Sequence, residues 1–166
     1  MCGRFALFYQ LAELIRQFGL DEFPSELGPR YNIAPGQQIA VVSSPRPDWR
    51  RLSLMRWGLI PHWAKEPPRG ASLINARGET VTEKPAFRSC FQERRCLVPA
   101  SGFYEWKRQG KEKLPHFLAP PDDGVLALAG LWDRWRAPDG ALVDSCSIIT
   151  TGANRTMEPI HDRMPV

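Results

Sequence analysis

The chain has 166 residues and a net charge of +4, a length that suits one domain with a single continuous core. Its 43% hydrophobic and 24% charged residues are the balance of a soluble globular protein, which excludes a disordered or low-complexity chain. The mild basicity is compatible with a nucleic-acid partner without demanding one.

No apolar run follows Met1, because Arg4 and Gln10 interrupt the one candidate stretch, so no secretory signal is read. Tyr9 to Phe18 places Leu11, Leu14, Ile15 and Phe18 at i, i+3, i+4 and i+7. That spacing predicts an amphipathic helix, stopped by Gly19. Gly28 to Gly36 is turn-rich. Short strands are predicted at Ile39–Ser43, Leu52–Trp57, Leu73–Ala76, Leu97–Val98, Phe103–Lys107, His116–Ala119, Val125–Leu131 and Ser145–Thr151. Lys84 to Glu93 reads as a second helix, with Pro85 tolerated in its first turn. Sixteen prolines are nearly twice the usual share of about 5%, and with thirteen glycines they punctuate most of the gaps. The longest apolar run, Val125 to Trp132, is too short to span a bilayer. With no repeat and no linker, the sum is one strand-dominated α+β domain over residues 1–166. Its expected form is a curved antiparallel sheet closing towards a barrel, with a few short helices.

The four cysteines, Cys2, Cys90, Cys96 and Cys146, show neither a CxxC pair nor zinc-ligand spacing. The last three lie among apolar neighbours and read as buried, reduced thiols of a cytosolic protein. The histidines at 62, 116 and 161 have no ligand spacing either, so no metal or organic cofactor is implied.

Chemistry concentrates first at Met1-Cys2-Gly3-Arg4. Removal of Met1 turns Cys2 into an N-terminal aminothiol, with amine and thiol on adjacent carbons. Such a group can act as a nucleophile with its own α-amine as base. It can also trap an aldehyde, first as an imine and then as a closed five-membered ring. Three further polar residues stand out: Asn75 at the end of an apolar strand, Glu105 between aromatics, and His161 in the last turn. Taken singly, each has an ordinary structural reading: a turn-closing amide, a solvent-facing carboxylate and a surface ion cluster.

The motifs MCGRF, RYNIAPG (30–36), RWGLIPHW (56–63), LINARGET (73–80), RCLVPASGFYEWK (95–107) and IHDRMPV (160–166) occur in that order along the whole chain. In this set and order the chain resembles the SRAP family of SOS-response-associated peptidases, proteins that cross-link to abasic sites in single-stranded DNA. The resemblance implies that the freed amine of Cys2 attacks the ring-opened abasic aldehyde. The thiol then closes a thiazolidine, an intramolecular step with a large effective molarity. The product is a stable DNA–protein cross-link that shields the lesion during the DNA damage response. By the same resemblance Glu105 is the acid/base carboxylate, a role suited to a group shielded by Phe103, Tyr104 and Trp106. His161 would donate a proton to the departing sugar oxygen, and Asn75 would orient the amine. Removal of Met1 would be autoproteolytic.

The resemblance also implies that Arg4 and Arg77 hold the DNA backbone, with Arg163 a third guanidinium and Trp63 and Pro35 stacking bases beside the gap. Trp106 joins this DNA-facing set. Core packing is the alternative for both tryptophans. Arg46, Arg50, Arg51 and Arg56 read as a solvated basic face. The expected partner is therefore single-stranded DNA with an abasic site, bound by a cytoplasmic, nucleoid-associated monomer with no membrane role. Family members continue beyond the histidine motif, so the segment after Val166 is expected to be missing and the final strand to leave an apolar edge.

Three rival functions remain open at this level. A class II glutamine amidotransferase shares Met1 to Gly3 but none of its glutamine-binding motifs is found. A thiol peptidase could build a Cys-His-Asn set from Cys2, His161 and Asn75. A non-covalent single-stranded DNA module would bind with strong salt dependence and ignore the lesion.

Overall fold

The computed structural model describes residues 2–68, 70, 72–122 and 124–166. In chain order the elements are β1 (Phe5–Leu7), α1 (Leu11–Phe18), β2 (Arg30–Ile33), β3 (Gln38–Arg46), β4 (Trp49–Trp57) and β5 (Asn75–Arg77). A 3-10 turn over Gly78–Thr80 and α2 (Arg88–Glu93) follow, then β6 (Arg95–Ala100), β7 (Gly102–Gln109), β8 (Glu112–Leu118), β9 (Leu126–Arg136), β10 (Leu142–Gly152) and β11 (Arg163–Pro165).

Five strands close a barrel in the order β10-β4-β3-β6-β9, with β9 returning to β10. Closure leaves the barrel without a free edge. The neighbours are antiparallel except β4 with β10, which run parallel through Ser145↔Arg56 and Cys146↔Trp57. The sequence of β3 explains its central place. Ile39, Ala40, Val41 and Val42 are buried in succession, as a strand covered on both faces requires. The expected curved sheet is thus found closed, with parallel pairs that strand patterning does not distinguish from antiparallel ones.

β10 organises the chemistry-bearing end. One edge pairs with β9 over residues 142–148 and then with β11 over 150–152. The other pairs with β4 and then with β5, where Ile148 meets Asn75 and Thr150 meets Arg77. The histidine segment and the Asn75 segment therefore flank the same half-strand.

A second, antiparallel sheet runs β2-β1-β7-β8. Its register sets Phe5 opposite Phe103, and Tyr104 N–H donates to the Arg4 carbonyl at 2.9 Å. That pairing carries the N-terminal Cys2 alongside Glu105. Between sheet and barrel lies the main core, with Phe5, Leu14, Ile33, Met55 and Trp57 essentially inaccessible to water. Each such side chain contributes about 1.5–3 kcal/mol of burial free energy. Trp57 meets Phe5 edge-on at 5.2 Å and satisfies its indole N–H on the Ile74 carbonyl at 3.0 Å. A smaller cluster of Leu59, Val81, Phe87, Cys90 and Leu131 packs beneath α2.

Helix α1 begins at Leu11, the first residue of the apolar spacing and two residues after Tyr9, and the backbone N–H of Gln10 is held by Glu13 at 3.0 Å. It ends where expected, at Gly19 in the left-handed conformation (φ 58°). The second helix is shorter than the predicted Lys84–Glu93, because Lys84 to Phe87 make turns around Pro85. The strand predicted at Leu73–Ala76 starts only at Asn75, since Leu73 takes φ 54°, outside any strand conformation. Asn75 therefore opens its strand instead of ending it. Strands β1, β2 and β11 are additional, and β2 lies inside the stretch read as turns. Val166 N–H donates to Ile149 O at 3.0 Å and its carbonyl accepts from Ala129 N–H at 2.8 Å, so backbone pairing extends to that residue. The four cysteines are free and buried, as expected for three of them. Among the described residues no helix is long and apolar enough to cross a membrane.

Candidate active site

Four of the singled-out residues converge. Cys2 is fully buried just ahead of β1. Its carbonyl accepts a hydrogen bond from Asn75 Nδ2 at 2.9 Å, which fixes the orientation of that amide, because a carbonyl can only accept. Asn75 Oδ1 then points to a buried position where no donor among the described residues meets it. Burial pushes the Cys2 thiol up to about 12, and the negative charge of Glu105 adds to the shift. The resting group is thus a thiol and not a thiolate.

Glu105 sits on β7 with 2% of its surface exposed, and His116 stands opposite it on β8. His161 Nε2 lies 3.9 Å from Glu105 Oε2. The imidazole is aimed from behind. Its Nδ1 accepts from the Arg163 backbone N–H at 3.0 Å, which in the neutral ring leaves the proton on Nε2, facing Glu105. The exposed Asp162 carboxylate also lies 2.9 Å from Nδ1. The backbone N–H and the carboxylate thus both meet the same ring nitrogen. A tight turn presents the ring: Asn154 Oδ1 accepts from Thr156 and Met157 N–H, and His161 N–H donates to Met157 O at 2.9 Å. Glu105, Trp106, His161 and Asp162 open onto a cleft of about 780 Å³ that Lys107, Arg108 and Lys113 also line.

The six residues assigned to DNA are placed unequally. Trp63 is 59% exposed, and Arg77 is exposed at the end of β5. Pro35 and Trp106 are half-buried, Trp106 on the cleft wall. Arg4 donates to Asn32 Oδ1 at 2.8 Å. Arg163 is engaged within the chain: its guanidinium forks onto Glu79 at 2.6 and 3.0 Å and reaches the Thr150 carbonyl at 2.7 Å. That fork holds the Glu79 carboxyl down to about 2. The pair ties the histidine segment to the turn that follows Asn75 and Arg77. Glu79 was missed as a site residue, although it lies two places after Arg77 within LINARGET.

The arginines read as a solvated face include the exposed Arg46 and Arg50, which with Arg56 also make contacts within the chain. Arg46 lies over the Trp49 ring at 4.1 Å, Arg50 donates to Phe18 O at 2.7 Å, and Arg56 donates to Gly36 O at 3.3 Å. His62 pairs at 2.9 Å with buried Asp133, which also holds Arg94 at 3.2 Å. Among the described residues no group of His, Cys, Asp and Glu converges as a metal site.

Residues 1–166 match the family described as SOS response associated peptidase (SRAP). The chain is 46% identical to the abasic site processing protein YoqW of Bacillus subtilis, over all of this chain and 75% of that protein. It is 36% identical to the abasic site processing protein HMCES of Xenopus tropicalis, over 82% of this chain and 50% of that one. A crystal structure of a Bacteroides thetaiotaomicron protein superposes with a TM-score of 0.88 at 27% identity, covering 99% of this chain and 75% of the other. With a match from end to end, this chain belongs to the SRAP family.

Proposed function

We propose that this protein captures abasic sites in single-stranded DNA as a covalent thiazolidine at Cys2. The relatives YoqW and HMCES are named abasic site processing proteins. The observation that carries the reading is the convergence of Asn75 and Glu105 on Cys2, with His161 behind Glu105 at the cleft.

Hydrolysis of the Met1–Cys2 peptide bond consumes one water and frees the α-amine. An unperturbed α-amine has a pKa of about 7.7–8.0, so a useful fraction is neutral near pH 7. The orphan Asn75 Oδ1 is suited to accept one of its protons and direct its lone pair outward. The abasic sugar opens when its ring oxygen takes a proton, for which His161 Nε2–H is the available donor, while the Glu105 carboxylate accepts the proton of the anomeric hydroxyl. The amine adds to the aldehyde carbon and water leaves, giving an imine. The Cys2 thiol then adds across the C=N bond: sulfur bonds to carbon and the thiol proton passes to nitrogen. Glu105 is the base within reach, which matters because the buried thiol does not ionise unaided near neutrality. Ring closure removes the electron sink that would drive β-elimination, so the strand stays intact.

The same geometry favours capture over a peptidase set. In a Cys-His-Asn constellation the amide orients the imidazole. Here Asn75 bonds Cys2, and a backbone N–H orients His161. A denaturing gel of the protein with abasic and undamaged strands tests the reading. A heat-stable shifted band is expected with the lesion alone and is lost in Cys2→Ala. A folded, Met1-free protein that gives no band refutes it.

A further inference from the structure

The outer face of the β7–β8 hairpin takes no part in the quartet. Side chains alternate along a strand, so Tyr104, Trp106 and Arg108 share one face of β7. Their cross-strand partners Phe117, Pro115 and Lys113 share it on β8. Phe103 and Glu105, on the opposite face, are buried. The outer face is therefore a ladder of three rungs. Tyr104 packs against Phe117 with ring centroids 4.8 Å apart, Trp106 stands across from Pro115, and Arg108 lies directly across from Lys113.

Two features of this ladder ask for an anionic, flat-ringed partner. Like charges directly opposite on a ladder repel, and Arg108 and Lys113, both exposed, have no acidic partner among the described residues. The hairpin adds Lys107 and Lys111, against Glu112 at its tip. Phe117 meanwhile leaves 44% of its surface in water beside Tyr104. Aromatic and cationic side chains interleaved on a sheet are how proteins hold single strands, with bases on rings and phosphates on cations.

The face also continues into the site. Trp106, Arg108 and Lys113 line the same cleft as Glu105 and His161. Glu158 and Asp162, from the histidine segment, line the cleft as well, so phosphate is favoured at the basic hairpin residues and not at that segment.

We propose that the Tyr104–Phe117 and Arg108–Lys113 rungs form a docking tract for the single-stranded DNA that flanks the lesion. The proposal rests on the capture reading above. Bases stack on the Tyr104–Phe117 pair while Arg108 and Lys113 neutralise phosphates, so the strand is held before the covalent step.

The test titrates an undamaged oligothymidylate, long enough to reach from the cleft across the hairpin, by fluorescence anisotropy over a salt series. The double variant Arg108→Gln/Lys113→Gln is compared with Arg16→Gln/Arg95→Gln, which removes the same net charge from exposed sites on α1 and β6. A phosphate contact on single strands contributes about 0.7 to the slope of log K against log salt. The hairpin variant is therefore expected to lower the slope by about 1.4 and the control to leave it unchanged. Phe117→Ala is expected to weaken binding roughly tenfold without changing the slope. Melting curves establish that each variant is folded, and if Phe117→Ala is not, the charge comparison decides alone. Equal slopes in hairpin variant and wild type, or equal losses in hairpin and control variants, overturn the tract, the second because bulk charge would suffice. Failure of the wild-type chain to form a covalent product on an abasic strand would count against the capture reading instead, and the titration on undamaged DNA still judges the tract.

Discussion

Glu105→Gln separates proton handling from packing at the same buried position. The carboxylate is 2% exposed, adds to the shift of the Cys2 thiol and lies 3.9 Å from His161 Nε2. Glutamine keeps the volume and hydrogen-bonding reach but can neither give nor take a proton. A positioned general acid or base contributes about 10²–10⁴ in rate, or roughly 3–5 kcal/mol of barrier. Capture of an abasic strand, followed as single-turnover time courses on denaturing gels, should therefore slow by at least about a hundredfold. The fold should persist, because a neutral amide costs less to bury than an ionised carboxyl. The thiol should also respond. With the Glu105 charge gone, the Cys2 pKa moves down from about 12, yet it stays above the ordinary thiol range because burial is the larger cause. Alkylation of Cys2 against pH, mapped by peptide mass spectrometry, reads that shift. A capture rate within about threefold of wild type, in a variant with an intact melting curve, would refute the acid/base role.

The Glu79–Arg163 pair sets an acid-side limit. Its folded carboxyl titrates at about 2 against an unfolded value of 4.5, so its stabilisation is fully present above about 4.5 and is lost as pH falls towards 2. The difference in melting midpoint between wild type and Glu79→Gln should hold at neutral pH, shrink below 4.5 and vanish near pH 2; a constant difference across that range contradicts the pairing. Gly102→Ala would place a methyl 2.4 Å from the Phe117 ring and 2.6 Å from the Leu118 carbonyl, and the carbonyl cannot yield. A loss of about 1–3 kcal/mol is expected, about 2–4 °C in melting midpoint per kcal/mol, and an unchanged midpoint argues against that close approach. Native Cys96 and Cys146 should resist thiol reagents near neutral pH, since burial raises both thiols, and should react at once in denaturant; fast native labelling would contradict their burial.

Much of the fold was legible because its long strands carry their own signal. The apolar stretches of β3, β4, β7, β9 and β10 were each found, with edges off by a few residues. The missed strands have a common cause. β1, β2 and β11 are three or four residues long, too short to show a period, and they exist through pairing with β7, β1 and β10. Leu73 misled because its apolar side chain fits a strand pattern while its backbone, at φ 54°, does not. At the candidate site, the sequence singles out Asn75, Glu105 and His161 but not their distances. Nothing local states that Asn75 grips the Cys2 carbonyl or that a backbone N–H sets the His161 tautomer, since both contacts depend on strand register. Arg163 shows a contact that no local pattern announces. A guanidinium suits a phosphate as well as a carboxylate, and only the fold brings Glu79, 84 residues away in sequence, into its fork.

The most direct test of the account is the intact mass of the product formed with a strand carrying one abasic site, taken with and without borohydride. Thiazolidine capture predicts the mass of Met1-free protein plus the unbroken strand less one water, unchanged by borohydride because no C=N bond remains. A product that gains two hydrogens with borohydride would be an open imine, and one that carries only a strand fragment would mean β-elimination. Either would contradict ring closure by the Cys2 thiol.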